Sequence, residues 1–173
     1  MARDTEGNAS MSSSTTKPSI PDGPLLPGTS APDFSWPISP NGRVSLSGLK
    51  GPVVLIFYPN DWNPVCGDEL SMFEAANGIF AERGAQLIGI AVDSFWSHLA
   101  FRAGRKLNFP LLADFNPKGE VARSYGVFRD ADGITGRALF VLDAQHNVAG
   151  NFISPIAVSP GVDGALKAVE ALA

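Results

Sequence analysis

A chain of 173 residues, 45% of them hydrophobic, is one domain with length to spare and has apolar side chains enough for a full core. Its net charge of −4, from 13 basic and 17 acidic residues, includes no basic stripe and so excludes a nucleic-acid partner. One cysteine and two separated histidines exclude an internal disulfide, a zinc finger and a haem-attachment pattern. The apolar run Val53–Tyr58 is far too short to cross a bilayer. No apolar signal-peptide core opens the chain, so a cytoplasmic protein without membrane contact is expected.

Residues 1 to about 30 are rich in Ser, Thr, Pro and Gly, as in "NASMSSSTTKPSIPDGPLLPGTS". Such a stretch buries too little apolar surface to offset its ordering entropy, and a mobile tail is expected, followed by a folded domain over 31–173. Seven of the 14 prolines fall between Pro18 and Pro40, which predicts an extended entry into that domain. Phe34–Trp36 and Arg43–Leu46 read as short edge strands around the turn Pro40-Asn41-Gly42. Val53–Tyr58 is apolar on both faces, as in a central strand covered on both sides. From Val65 to Arg83, the apolar residues Leu70, Phe73, Ala76 and Phe80 recur at helical spacing, and Gly84 suits the position just past a helix end. Gln86–Val92 reads as a second buried strand ending at Asp93, Phe95–Lys106 as a helix, and Lys118–Tyr125 as a short helix stopped by Gly126. Ala138–Asp143 and Val148–Ile153 predict a hairpin across Ala144–Asn147, and Val162–Leu172 a closing helix. This order predicts an α/β fold of thioredoxin-like topology, a central mixed sheet flanked by helices.

The stretch "VVLIFYPNDWNPVCGDELSMF" places the only cysteine where a buried strand gives way to a helix. A lone cysteine is ordinarily a small buried apolar residue. With Pro64 at the helix start and Asn63 as N-cap, however, Cys66 sits in the first turn. There, unpaired backbone N–H groups and the positive end of the helix dipole favour a thiolate. The crevice beyond a strand's carboxyl end is also where α/β proteins form sites. Asp68 and Glu69, read as carboxylates of the same turn, oppose ionisation, so a nearby cation is required.

These residues resemble the peroxiredoxins, the cysteine peroxidases of the alkyl hydroperoxide reductase type. That family's signature is a proline, three residues, Thr or Ser, two residues, the peroxidatic cysteine, and commonly a Glu three residues on. Here the pattern falls on Pro59, Asn63, Cys66 and Glu69. The resemblance continues through "IAVDSFWSHLAF" and "FPLLADFNPKGEVARSYGV" to "GRALFVLD", which supplies the family's active-site arginine as Arg137. It implies a thioredoxin-like fold and attack of a Cys66 thiolate on the O–O bond of a peroxide, giving a sulfenic acid and an alcohol or water. It further implies that Arg137 stabilises sulfur and peroxide, that Pro59 shields the sulfur, and that Glu69 orients an arginine or a backbone amide instead of titrating. The one departure is Asn63 for the family's hydroxyl, whose amide can replace its hydrogen bonds only in part.

With one cysteine the sulfenic acid has no resolving partner in its own chain. A one-cysteine type is therefore expected, recycled by an external thiol: thioredoxin, glutathione with glutaredoxin, or another low-molecular-weight thiol. No cofactor is implied, and the family commonly forms homodimers. Two rivals stand beside this. A thiol–disulfide oxidoreductase is disfavoured because Gly67-Asp68-Glu69 follows Cys66 in place of a second cysteine. A peroxide sensor or holding chaperone with weak peroxidase activity draws its support from Asn63. His98 and His146 are assigned no catalytic role. Asp130, Asp132 and Gly133 hint at a calcium loop but lack its later ligands, so "RDADGITG" reads as a polar turn.

Overall fold

The computed structural model describes residues 19–173. Its centre is a five-stranded mixed sheet in the order β5-β4-β3-β8-β9. The strands are β3 (Val53–Phe57), β4 (Gln86–Ala91), β5 (Leu111–Ala113), β8 (Arg137–Leu142) and β9 (Val148–Ser154). Parallel pairing joins β3 to β4 and β4 to β5, while β8 runs antiparallel to both β3 and β9. The middle strand β3 is the stretch whose residues are apolar at every position, and all five are fully buried. Covering it from both sides removes the need for alternation.

Alternate residues of β3 face two cores. Val54 and Ile56 pack with Leu70, Phe73 and Phe80 of α1 (Pro64–Glu82), Phe101 of α2 (Phe95–Arg105), and Ala165 and Val169 of α4 (Asp163–Glu170). Val53, Leu55 and Phe57 face Tyr125, Phe140, Phe34 and Leu46, together with Val121 and Ala122 of α3 (Glu120–Ser124). None of the helices in the described residues is long and apolar enough to cross a membrane.

Three features depart from the sequence reading. The hairpin of β1 (Ser35–Ser39) and β2 (Gly42–Ser45) forms its own two-stranded sheet instead of edging the main one. The segment "RDADGITG" closes a second small hairpin, β6 (Phe128–Arg129) with β7 (Ile134–Thr135), whose turn is held by Arg129 donating to Asp132 at 2.7 Å. Residues 25–30, expected to belong to the tail, are also bonded to the domain. Residues 1–18 lie outside the described residues, but Leu25 N donates to Tyr125 O at 3.2 Å and Gly28 N to Val148 O at 2.8 Å. Ser30 bridges Asn147 antiparallel to it, and Asn151 donates its amide to Leu25 O at 2.7 Å. These bonds satisfy backbone groups that a free tail leaves to water, so the folded region starts no later than Leu25.

Candidate active site

The pairing of Phe57 with Ala138 sets Arg137 level with the carboxyl end of β3, where the chain turns through Tyr58–Asn63 into α1. Pro59 lies buried in that turn. Asn63 has extended backbone, and its Oδ1 accepts from Val65 N at 2.9 Å and Cys66 N at 3.3 Å. Two of the helix's orphan donors are thus satisfied by one side chain, with Pro64 following as the first helical residue. Asn63 is the cap the sequence predicted. Its carbonyl is spent on the helix, and among the described residues no hydrogen bond joins it to the sulfur.

Cys66 is fully buried, with Sγ 3.4 Å from Nη2 of Arg137. Arg137 is fixed on every side: Nε and Nη2 donate to Ile156 O at 2.9 and 2.7 Å, and Nη1 donates to Glu69 Oε2. Glu69 stands one turn after Cys66 on the same helix face, which lets both reach one guanidinium. Neither the Glu69 nor the Arg137 side chain is exposed, and Glu69 Oε1 has no hydrogen-bond partner among the described residues.

The carboxylates are not where the sequence reading put them. No acidic residue occupies the first turn of α1. Asp68 points outward to Arg105 at 3.4 Å, leaving Glu69 as the one that faces inward. Glu69, expected to orient an arginine instead of titrating, accepts from Nη1 of Arg137. Burial pushes its carboxyl up to about 7, against the pull of Arg137. Burial also raises the Cys66 thiol, despite the Asn60 backbone amide and Arg137, and the charge of Glu69 adds to the rise. At this sulfur the helix start and Arg137 therefore work against burial.

A buried polar network next to the site escaped the sequence reading. Asp61 is 5% exposed and accepts from Tyr58 Oη at 2.8 Å and Ser97 Oγ at 2.7 Å. His98 Nδ1 lies 2.9 Å from Asp61 Oδ2 and Nε2 lies 3.1 Å from Leu112 O, so the buried ring is held from both ends. Asp93 accepts the Asp61 backbone N–H at 2.9 Å. Together they pin the turn that carries Pro59 and Asn63 to the start of α2. Trp62, at φ 65°, follows Asp61 in the left-handed region, 62% exposed, its indole N–H donating to Ser97 at 3.3 Å. The signal for the network was present in "YPND" and "SFWSHL", but polar residues 37 positions apart show no periodicity to connect them.

A thioredoxin-like sheet with a lone cysteine opening its main helix, facing a buried arginine, defines a thiol-based redox enzyme. Comparison with known proteins carries this further. The AhpC/TSA family model matches residues 27–150, and the chain belongs to that family. It is 39% identical over 155 residues to peroxiredoxin tpx1 of Schizosaccharomyces pombe, covering 83% of this chain and 80% of that one. It is 36% identical over 155 residues to mouse (Mus musculus) peroxiredoxin-2, covering 83% and 77%. Among solved structures, peroxidoxin BcpB of Mycobacterium tuberculosis superposes with a TM-score of 0.76 at 31% identity, covering 85% of this chain and 97% of that one. A reduced 2-Cys peroxiredoxin of Plasmodium vivax superposes at 0.77 with 28% identity, covering 86% and 82%. The protein is a peroxiredoxin, a thiol peroxidase.

Proposed function

We propose that Cys66 is the peroxidatic residue and that it works by a one-cysteine mechanism on hydrogen peroxide and organic hydroperoxides. The observation that carries this is the 3.4 Å approach of Arg137 Nη2 to Cys66 Sγ, in the first turn of α1. The thiolate attacks one peroxide oxygen in line with the O–O bond. An S–O bond forms as the O–O bond breaks, sulfur is oxidised to sulfenic acid, and the departing alkoxide or hydroxide takes up a proton. Arg137, permanently charged and fixed by Ile156 and Glu69, lowers the energy of both the thiolate and the leaving oxygen without reorganising. Pro59 excludes water from the sulfur, Asn63 holds the turn, and Glu69 holds the guanidinium.

An external thiol then attacks the sulfenate and regenerates Cys66; thioredoxin, glutaredoxin with glutathione, and other small thiols are the candidates. The site acts in cytoplasmic redox homeostasis, in a homodimer. Trp62 and Trp96, 62% and 64% exposed, are aromatic side chains of the type that interfaces cover.

Stopped-flow peroxide consumption by wild type and Cys66→Ser tests the reading, followed by turnover with a panel of thiols. Fast consumption that vanishes in Cys66→Ser, with turnover sustained by at least one thiol, is expected. Slow oxidation without turnover by any thiol overturns the enzyme in favour of a sensor. Excess peroxide without thiol is expected to inactivate wild type with a mass gain of two oxygens on Cys66, since a waiting sulfenate proceeds to sulfinic acid.

A further inference from the structure

Two buried acids and one cation meet in this site. Arg137 donates to both Cys66 Sγ and Glu69 Oε2, all three side chains are closed off from water, and Glu69 Oε1 is left without a partner among the described residues. If both acids ionise, the cluster carries one uncompensated negative charge in a medium that solvates it poorly. If only one does, the guanidinium balances it.

We infer that Cys66 and Glu69 share a single negative charge through Arg137, so that the thiolate forms as Glu69 takes up a proton on its unpartnered oxygen. This rests on Cys66 being the peroxidatic residue. The two arrangements that carry this charge, thiol with carboxylate and thiolate with carboxylic acid, have the same net charge and differ by the position of one proton; the second is the reactive one. When the thiolate attacks the peroxide, sulfur becomes a neutral sulfenic acid and the alkoxide leaves. Arg137's charge is then left to Glu69, which gives up its proton, and the alkoxide takes one up. Over the step, one thiol and one peroxide yield one sulfenic acid and one alcohol, with Glu69 returned to its carboxylate.

The titratable groups in electrostatic contact with Glu69 are Arg137, reaching from β8, and Cys66, one turn earlier on α1. Its neighbour Asp68 is turned away to Arg105. The directions agree with the sharing. Burial raises both the Glu69 carboxyl and the Cys66 thiol, and the Glu69 charge itself contributes to the rise at sulfur. Glu69 acts through Arg137 and not on the substrate, so it is a positioning residue whose own proton is part of the position.

Glu69→Gln separates this from a merely structural role, because glutamine keeps an acceptor for Arg137 Nη1 while losing the charge. The Cys66 pKa, read from the pH dependence of alkylation, is expected to fall by about one unit or more in Glu69→Gln. The pH dependence of peroxide consumption is expected to shift with it. A thiol pKa that is unchanged or raised in Glu69→Gln overturns the sharing while leaving the peroxidase reading standing. Absence of cysteine-dependent peroxide consumption in wild type sinks both. Should Glu69→Gln fail to fold, infrared difference spectra of reduced wild type and Cys66→Ser at neutral pH decide it. A protonated-carboxyl band present in wild type and lost in the serine variant supports the sharing, and equal bands overturn it.

Discussion

At the scale of single residues, Asn63 shows how one side chain is asked to do two jobs. Its carbonyl oxygen already serves the helix, accepting from both Val65 and Cys66, so only its amide hydrogens are free for the chemistry. A threonine hydroxyl at the same position caps a helix nearly as well and can turn its single proton toward sulfur or peroxide. Asn63→Thr is therefore expected to change stability by no more than about 0.5 kcal/mol in urea unfolding. Its peroxide rate is expected to rise about tenfold, short of the 10²–10³ that a fully placed donor is worth. A rate that is unchanged or lower would show that the amide is not what limits the site. The cap itself was legible in the sequence, because Asn followed by Pro at a strand's end is a local signal. The inward turn of Glu69 was not: adjacent carboxylates look alike on paper, and only the helix phase separates Asp68 on the outside from Glu69 on the inside.

At the scale of elements, the turn between β3 and α1 is held from the side by α2. Asp61 gathers Tyr58, Ser97 and His98, and the turn's left-handed residue Trp62 stays in place because its neighbours on both sides are tied down. Removing the carboxylate takes a partner at once from buried Tyr58 and His98 and from half-buried Ser97. Asp61→Ala is expected to cost about 3 kcal/mol, the scale of leaving buried polar groups unsatisfied, measured as a lower urea midpoint with an unchanged slope. It should also slow peroxide consumption, since Pro59 and Asn63 sit on the loosened turn. A stability loss below about 1 kcal/mol would place the network outside the load of the fold. Long periodic segments such as α1 and the fully apolar β3 were readable to within a residue or two, because their burial pattern repeats. The three-residue strand β5 and the two-residue strands β6 and β7 have no room for a period, and they exist because a neighbouring strand or turn supplies their hydrogen bonds.

At the scale of the whole molecule, the mixed sheet flanked by helices followed from the order of elements in the sequence, and the placing of Leu25–Ser30 against Tyr125, Asn147 and Val148 did not. Those are backbone bonds, which leave no mark in side-chain composition. What the assembled fold adds is a pH dependence that no single segment carries. Burial raises the Glu69 carboxyl from 4.5 to about 7, and raises Asp114 from 3.8 to about 6 although the amides of Ala122 and Val121 pull it down. A carboxyl that is raised on folding keeps its proton in the native state after the unfolded chain has lost it. Between the two pKa values the native state therefore binds more protons, and stability falls as pH rises. For Glu69 the window runs from pH 4.5 to about 7, with a loss of at most about 3 kcal/mol, and Asp114 adds a loss over pH 3.8 to about 6. The urea midpoint is expected to decline from about pH 5 to pH 7 in wild type. In Glu69→Gln the decline above about pH 6 should flatten, because the Asp114 window has closed by then and glutamine has no proton to lose. A wild-type midpoint that is level or climbs across that range would mean that both carboxyls are ionised in the native state throughout. Arg137 would then be paired with an ionised Glu69 across the whole range, and a thiolate at Cys66 would add a second buried anion to the same guanidinium.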